Sequence, residues 1–306
     1  MFGKLLKHDL KSLSRVGKPL AIGTLILGLL GCLASVGHSL LIKHSYKLLE
    51  LSSEAFENGD IALSDKYSML YTASSFATSI LAITMFLGFL LLCASILTMM
   101  VLIVVNFYKT LITDEGYLTF TLPVSPTKIL LSKVLNGIIW NTIMLVIFGL
   151  GLALIIVPSI KINDTGMLYY LFQFDGLDKM NLVLFVILMI ESTYFSLIAY
   201  QIFYFFAVFL GGIVASKRKI LASAGIIVGG HVIYYVFQQI VSFILMAFMF
   251  VVMSNGTDDP WLSSNPVDTF IITNVSLLFS FICSIVIGVV FLHLTNWLMN
   301  KKLNLP

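Results

Sequence analysis

The stretch FATSILAITMFLGFLLLCASILTMMVLIVV, from Phe76 to Val105, contains no charged side chain. It is longer than the about 20 predominantly apolar residues that an α-helix needs to cross the hydrocarbon core of a bilayer. Five further apolar runs are also long enough, at Pro19–Ile42, Val134–Pro158, Asn181–Val214, Ile220–Met253 and Thr269–Leu298. The six runs predict an all-α integral membrane protein with six transmembrane helices.

The composition indicates the same class of protein. Of the 306 residues, 59% are hydrophobic and 11% are charged, and the mean hydropathy is +1.01. A typical soluble domain carries about 25% charged residues. We therefore predict a single transmembrane domain over residues 1–306. The run Ile220–Met253 is too long for one simple crossing, so we expect it to tilt, to break near Gly229-Gly230 or to include a re-entrant piece.

The distribution of charge predicts the orientation of the chain. Lys and Arg close to the ends of spans stay in the cytoplasm. Basic residues cluster before the first run, at Lys217-Arg218-Lys219 and at Lys301-Lys302. Acidic residues collect in the predicted outer loops, of which the longest runs from Lys43 to Ser75. The sequence thus predicts a multi-pass protein of a cell membrane with both termini in the cytoplasm.

The segment FGKLLKHDLKSLSRVGK, before the first run, has the pattern of an amphipathic helix. Phe2 and the leucines fall on one helical face, and most of the basic residues fall elsewhere. We predict an interfacial helix over residues 1–18 that lies on the inner leaflet. Two interpretations stay open, which are anchoring to anionic lipid and contact with a cytoplasmic partner.

A second distinctive stretch, TDEGYLTFTLPVSPTKILLSK at residues 113–133, lies in the predicted cytoplasmic loop 106–133 between the second and third spans. A glycine and a proline interrupt it, and Ser125-Pro126 predicts that a helix begins again at Pro126. Its central part, YLTFTL, is uncharged and partly apolar, which is unusual for a loop in water. This part either folds against the membrane face of its own chain or contacts a partner.

The residues of this loop resemble those of a known family. An acidic pair with a glycine is followed by two spaced leucines, by Pro-Val-Ser, and by Ser-Lys at the entry to the third span, namely Asp114, Glu115, Gly116, Leu118, Leu122, Pro123, Val124, Ser125, Ser132 and Lys133. The pattern is similar to the coupling region of permeases of the type-2 ABC exporter family, with Tyr117 in place of the usual threonine. Six spans, an amphipathic lead helix and cytoplasmic termini are also similar to that family.

The resemblance implies a permease subunit of an ATP-driven exporter in a bacterial plasma membrane. It implies a separate ABC ATPase subunit that holds ATP and Mg²⁺, and a second permease copy, identical or related. This chain has no phosphate-binding loop of the type G-x-x-x-x-G-K-[ST], so we expect neither an enzyme nor a cofactor-binding chain. The lipid bilayer is its surroundings, and no nucleic acid partner is expected. The implied ATPase-coupling residues are Asp114, Glu115, Gly116, Tyr117, Leu118, Phe120, Leu122 and Pro123.

Polar side chains inside the spans are the second group of candidate functional residues. Glu191 is the only acidic residue in any of the six runs, and the fifth run has a polar stripe at helical spacing, formed by His231, Tyr234, Tyr235 and Gln238. The stripe and Glu191 form either a substrate path or an internal hydrogen-bonded clamp. Polar pairs between spans often serve packing, which favours the clamp. No spacing typical of a metal site occurs, so no metal is predicted.

Other classes of function stay open beside the exporter. A secondary transporter, or another polytopic membrane protein without an ATPase partner, is the alternative, although paired halves with interrupted helices are not evident in the sequence. Permeases that resemble this chain move antimicrobial peptides, drugs or lipids. The acidic outer loops would suit a cationic peptide.

Overall fold

The computed structural model describes residues 2–113, 124–162, 177–215, 218–254 and 266–302. Every regular element in these ranges is an α-helix. The six helices are α1 (Phe2–Glu57), α2 (Ile61–Leu111), α3 (Pro126–Ile162), α4 (Leu177–Val214), α5 (Lys219–Ser254) and α6 (Pro266–Lys302).

Each of these six helices is long and apolar enough to span a membrane. Each also contains one of the six apolar runs of the sequence, which confirms the predicted all-α architecture and the predicted count of spans in the described part of the chain. The physical reason is that a helix satisfies all its backbone N–H and C=O groups internally, whereas hydrocarbon offers these groups no partner.

The N-terminal segment differs from its prediction as a separate helix. Residues 2–18 are the first part of α1, and Pro19 lies inside that helix. Pro19 removes one N–H donor and its ring crowds the carbonyl four residues earlier, but these local costs do not end the helix. The 56 residues of α1 extend over about 84 Å at 1.5 Å per residue, far beyond the ~30 Å hydrocarbon core.

The predicted outer loop Lys43–Ser75 is also largely helical. Helix α1 continues to Glu57 and α2 begins at Ile61, so only three residues form the turn of a helical hairpin. In this turn Gly59 has a φ of 77°, which an L side chain rarely adopts. The Asp60 carboxylate accepts a hydrogen bond from the Leu63 N–H at 3.1 Å and so caps α2.

The fold has two compact units, and the hairpin belongs to one of them. This unit consists of Arg15–Met99 and Thr142–Phe174. Serine pairs join α1 to α2 within it. The Ser45 and Ser74 hydroxyls lie 2.8 Å apart, and Ser64 donates to the Ser52 carbonyl at 3.1 Å. Small hydroxyl side chains allow two helices to approach closely and to bond directly.

The other unit consists of Met1–Ser14, Met100–Asn141 and Asp175–Pro306. It contains α4, α5 and α6. Helix α5 runs unbroken from Lys219 to Ser254, so the break predicted near Gly229-Gly230 does not occur. A helix tolerates glycine at a cost of about 1 kcal/mol, and Gly230 serves close packing of α5 against α4.

Candidate functional site

A cavity of about 360 Å³ lies between α4, α5 and α6. We call it the aromatic cavity, because five Phe and Tyr side chains contribute to its walls. Its lining comprises Ser196, Ala199, Tyr200 and Phe203 of α4, Gly230, His231, Ile233, Tyr234 and Phe237 of α5, and Ser284, Ile287 and Phe291 of α6. The volume falls within the range of small-molecule sites, about 300 to 1,000 Å³.

Helical periodicity brings the lining residues together. On each helix they recur three or four positions apart, as Ser196, Tyr200 and Phe203 do on α4. Side chains at this spacing share one face of a helix. The walls therefore consist of one face from each of three helices.

The rings of the cavity contact one another mostly edge to face. Tyr200 and Tyr234 have ring centroids 5.7 Å apart at 85°, and Phe203 and Phe291 have centroids 5.1 Å apart at 63°. Such arrangements place the positive edge of one ring against the negative face of another. The contacts hold the rings in fixed orientations around the cavity.

A polar contact joins α4 to α5 beside the aromatic cavity. The Tyr204 hydroxyl and His231 Nε2 lie 2.8 Å apart, and the donor depends on the tautomer of the imidazole. His231 also has ring contacts with Tyr200 and Phe203, at centroid distances of 5.4 and 5.7 Å. The imidazole is thus fixed by α4 on its polar and apolar sides.

Two glycines let α4 and α5 approach closely, Gly230 in the cavity lining and Gly211 at the end of α4 that meets the start of α5. A Cβ added to Gly230 would lie 2.2 Å from Cζ of Phe203. A Cβ added to Gly211 would lie 2.6 Å from the backbone nitrogen of Ser223 and 2.7 Å from its Cα. A larger residue at Gly211 would separate the two helices, whereas one at Gly230 would displace the Phe203 ring.

The aromatic cavity continues into two adjoining spaces. A shallow groove shares Ser196 and Tyr200 with it and adds four residues, which are Ser192, Thr193, Leu197 and Ser280. We call this the serine groove. A small cavity shares Tyr234 and Phe237 with the aromatic cavity and includes Gln238. The three spaces lie side by side and share wall residues, and together we call them the tract, with an aromatic part and a hydroxyl-rich part.

The structure brings together some of the predicted polar residues and separates others. His231 and Tyr234 line the aromatic cavity, and Gln238 lines the small cavity beside it. Tyr235 is 63% exposed and lies outside all three spaces. Neighbouring residues of a helix point about 100° apart, which is why Tyr234 and Tyr235 differ.

Glu191 does not form the predicted clamp. Its side chain is exposed on α4, and within the described residues it has no hydrogen bond or ion pair with α5. Glu191 immediately precedes Ser192, so its side chain points about 100° away from the face with Ser192, Ser196 and Tyr200. The acidic side chain of Glu191 and its predicted depth in the membrane suggested a bond to the polar stripe of α5. The orientation of α4 instead leaves this side chain exposed.

Sequence reasoning missed the walls of the cavity that α4 and α6 supply. Tyr200, Tyr204 and Phe203 carry no charge and lie in an aromatic-rich run, so they read as ordinary span residues. The signal available was the repeat of Ser196, Tyr200 and Phe203 at spacings of four and three, opposite a similar repeat in α5.

Replacing Glu191 should have little effect on the stability of the isolated chain. Glu191→Gln and Glu191→Leu remove no partner within the described residues, so thermal unfolding of the purified protein in detergent should change by less than about 0.5 kcal/mol. The control is Gln201→Leu, since Gln201 is fully buried and accepts a 2.8 Å hydrogen bond from Asn141. If Glu191→Leu lowered the stability as much as Gln201→Leu does, Glu191 would have to form a stabilising bond such as the predicted clamp.

The eight predicted coupling residues, Asp114 to Pro123, lie outside the described residues, but both flanks are described. Helix α3 begins at Pro126 as predicted, and the Ser125 carbonyl accepts the Lys128 N–H at 2.9 Å. On the other flank, Lys219 Nζ donates to the Ile112 carbonyl at 3.2 Å.

A buried ion pair lies seven residues inside α3. Lys133 Nζ lies 2.5 Å from Oδ1 of Asp9, and each side chain is 4% exposed. The Ser132 hydroxyl donates to Oδ2 of Asp9 at 2.7 Å. The two carboxylate oxygens of Asp9 thus have separate donors, and the N-terminal part of α1 is fixed to the start of α3.

No family model, curated protein or solved structure matches this chain. Over the part of the chain that the structure describes, the fold defines an all-α protein with six helices long and apolar enough to span a membrane.

Proposed function

We propose that this chain is the permease subunit of an ATP-driven ABC exporter, which moves a substrate out of the membrane or the cell. A separate ATPase subunit would hydrolyse ATP, and a second permease copy would complete the membrane unit. The support consists of six helices able to span a membrane and a loop between α2 and α3 with residues similar to the coupling region of type-2 ABC permeases.

The observation that carries the proposal is how the flanks of this loop are attached. At the start of the loop between α2 and α3, the Ile112 carbonyl accepts a hydrogen bond from Lys219 at the start of α5. Just after it, Thr127 Oγ1 donates to Asn296 Oδ1 of α6 at 2.9 Å. Both α5 and α6 line the aromatic cavity. A force applied to the loop would therefore reach the cavity walls directly.

This arrangement supports a mechanical mechanism. The ATPase would seat on the loop, and its closure on ATP would displace the end of α2 and the start of α3. Because those ends are bonded to α5 and α6, the cavity would change shape with the nucleotide state. Asp9 would carry the N-terminal segment along through its bond to Lys133.

The proposal includes an orientation and a location. Both termini and Lys217-Arg218-Lys219 would face the cytoplasm, as basic residues near span ends generally do. The amphipathic residues 1–18 would then lie near the inner leaflet, although they belong to the continuous helix α1. The membrane would be the plasma membrane of a bacterium.

A secondary transporter is the second candidate. One observation favours it, namely that α4, α5 and α6 of one chain are sufficient to form the aromatic cavity. Such a site needs neither a second copy nor an ATPase to exist. Recruitment of an ATPase by the loop separates the two candidates.

Changing the loop should weaken binding of the ATPase. We expect Glu115→Lys and Phe120→Ala each to reduce the amount of P-loop ATPase that copurifies with the chain from its native membrane by about tenfold. Each change removes a contact to the partner without altering a span. Copurified ATPase would be identified by mass spectrometry and by ATP hydrolysis per mole of chain.

The controls are the same substitutions in the helical hairpin, Glu57→Lys and Phe56→Ala, where both side chains are exposed. They should leave recruitment and thermal stability unchanged. Normal recruitment together with normal coupling in both loop variants would remove the basis for an exporter subunit.

A further inference from the structure

The tract between α4, α5 and α6 has two chemically different parts. The aromatic cavity is bounded mainly by ring and alkyl carbons, with the Tyr200 and Tyr234 side chains among them. The serine groove beside it offers the hydroxyls of Ser192, Thr193 and Ser280. A ligand that fills both parts needs an apolar body and a polar end, so the tract fits an amphipathic molecule.

The charge of the lining limits the polar end. Among the described residues that line the three spaces there is no Lys, Arg, Asp or Glu. A phosphate or carboxylate would find no lysine or arginine partner there and would lose its hydration. Anionic lipids and organic acids are therefore poor occupants.

An organic cation has a favourable partner in the same tract. The faces of Tyr and Phe rings carry negative potential and attract cations within about 6 Å, most strongly where water is excluded. Hydroxyl oxygens of the serine groove can accept hydrogen bonds from an ammonium group. Glu191 directly precedes Ser192 and adds a carboxylate on the same helix, with its side chain exposed.

From these features we propose that the tract binds an amphipathic organic cation, with its apolar or aromatic body in the aromatic cavity and its charged end toward the serine groove. The inference rests on the proposed transport function in one respect, namely that the bound cation is the transported substrate. Binding itself needs only α4, α5 and α6. The cavity volume of about 360 Å³ accommodates one such molecule.

Tetraphenylphosphonium and tetraphenylborate test the charge selectivity of the tract alone, since they have nearly the same shape, opposite charges at the central atom and no separate charged end. Binding to the purified chain in nanodiscs of neutral lipid would be measured by equilibrium dialysis, with empty nanodiscs subtracted. We expect saturable phosphonium binding that is at least about tenfold tighter than borate binding. Equal or tighter binding of borate would overturn the proposal.

Adjacent tyrosines of α5 provide the variants. Tyr234→Ala should weaken phosphonium binding about tenfold, whereas Tyr234→Phe, which keeps the ring, should stay within about threefold of the original chain. Tyr235→Ala should have no effect, because Tyr235 is exposed outside the tract. If Tyr234→Ala does not fold, Phe237→Ala takes its place with the same expectation. Unchanged affinity in the folded ring-deleting variant, or an equal loss in Tyr235→Ala, would place the ligand elsewhere.

The role of Glu191 has its own readout. Glu191→Gln should weaken phosphonium binding by about threefold through the lost long-range attraction and should not weaken borate binding. Unchanged phosphonium affinity would mean that the Glu191 carboxylate does not attract the bound cation.

These binding measurements need no ATPase, so they test cation binding independently of the proposed exporter function. Saturable cation binding by a chain that recruits no ATPase would retain this inference and favour a secondary transporter. Recruitment of an ATPase by a chain without cation selectivity would retain the exporter and reject the inference.

Discussion

Asp9→Ala should lower the free energy of unfolding by about 3 to 5 kcal/mol, because it leaves the Lys133 ammonium buried without its partner. Lys133 is 4% exposed, so water cannot replace the lost carboxylate without local unfolding. Denaturant unfolding of the purified chain would measure the loss. Asp65→Ala is the control, since Asp65 is exposed on the helical hairpin and should change stability by less than about 0.5 kcal/mol.

A double substitution separates the cost of an orphaned charge from the value of the pair. Asp9→Leu with Lys133→Met removes both charges and keeps apolar volume, so it should cost far less than Asp9→Ala, in keeping with other buried pairs that hydrophobic residues replace. If Asp9→Ala alone leaves stability unchanged, the ion pair does not hold the N-terminal segment to α3. Movement of the loop would then not be transmitted to α1.

Gly211→Ala should destabilise the chain by about 3 kcal/mol. The new Cβ would lie 2.6 and 2.7 Å from backbone atoms of Ser223, which cannot rotate away as a side chain could. Helix α5 would have to move from α4, and the 2.8 Å contact between Tyr204 and His231 would lengthen. Thermal unfolding would report the stability loss, and phosphonium binding would report the change in the cavity.

Gly225→Ala is the matched control on α5. A Cβ at Gly225 has nothing within 4 Å among the described residues, so the substitution should be neutral or stabilise the helix by up to about 1 kcal/mol. Equal effects of the two alanine substitutions would mean that helix propensity, and not the close approach of α4 and α5, governs Gly211.

The apolar runs determined the spanning helices without help from the rest of the chain. The cost of exposing backbone groups to hydrocarbon depends on each segment alone, so a local property is sufficient. The start of α3 at Pro126 was also predictable from local sequence. Proline at the first helical position and the serine before it favour a helix start through the geometry of that one turn.

Only the tertiary structure decided where helices continue and which side chains meet. The lead segment and the Lys43–Ser75 stretch are parts of long helices, since neither Pro19 nor polar composition was sufficient to end them. Tyr234 lines the cavity and its neighbour Tyr235 does not, because the orientation of α5 against α4, which pack closely at Gly211, turns one side chain toward the cavity and the other away. Asp9 meets Lys133 across 124 positions of sequence, and no local rule links residues so far apart; their pairing depends on how the helices of that unit pack.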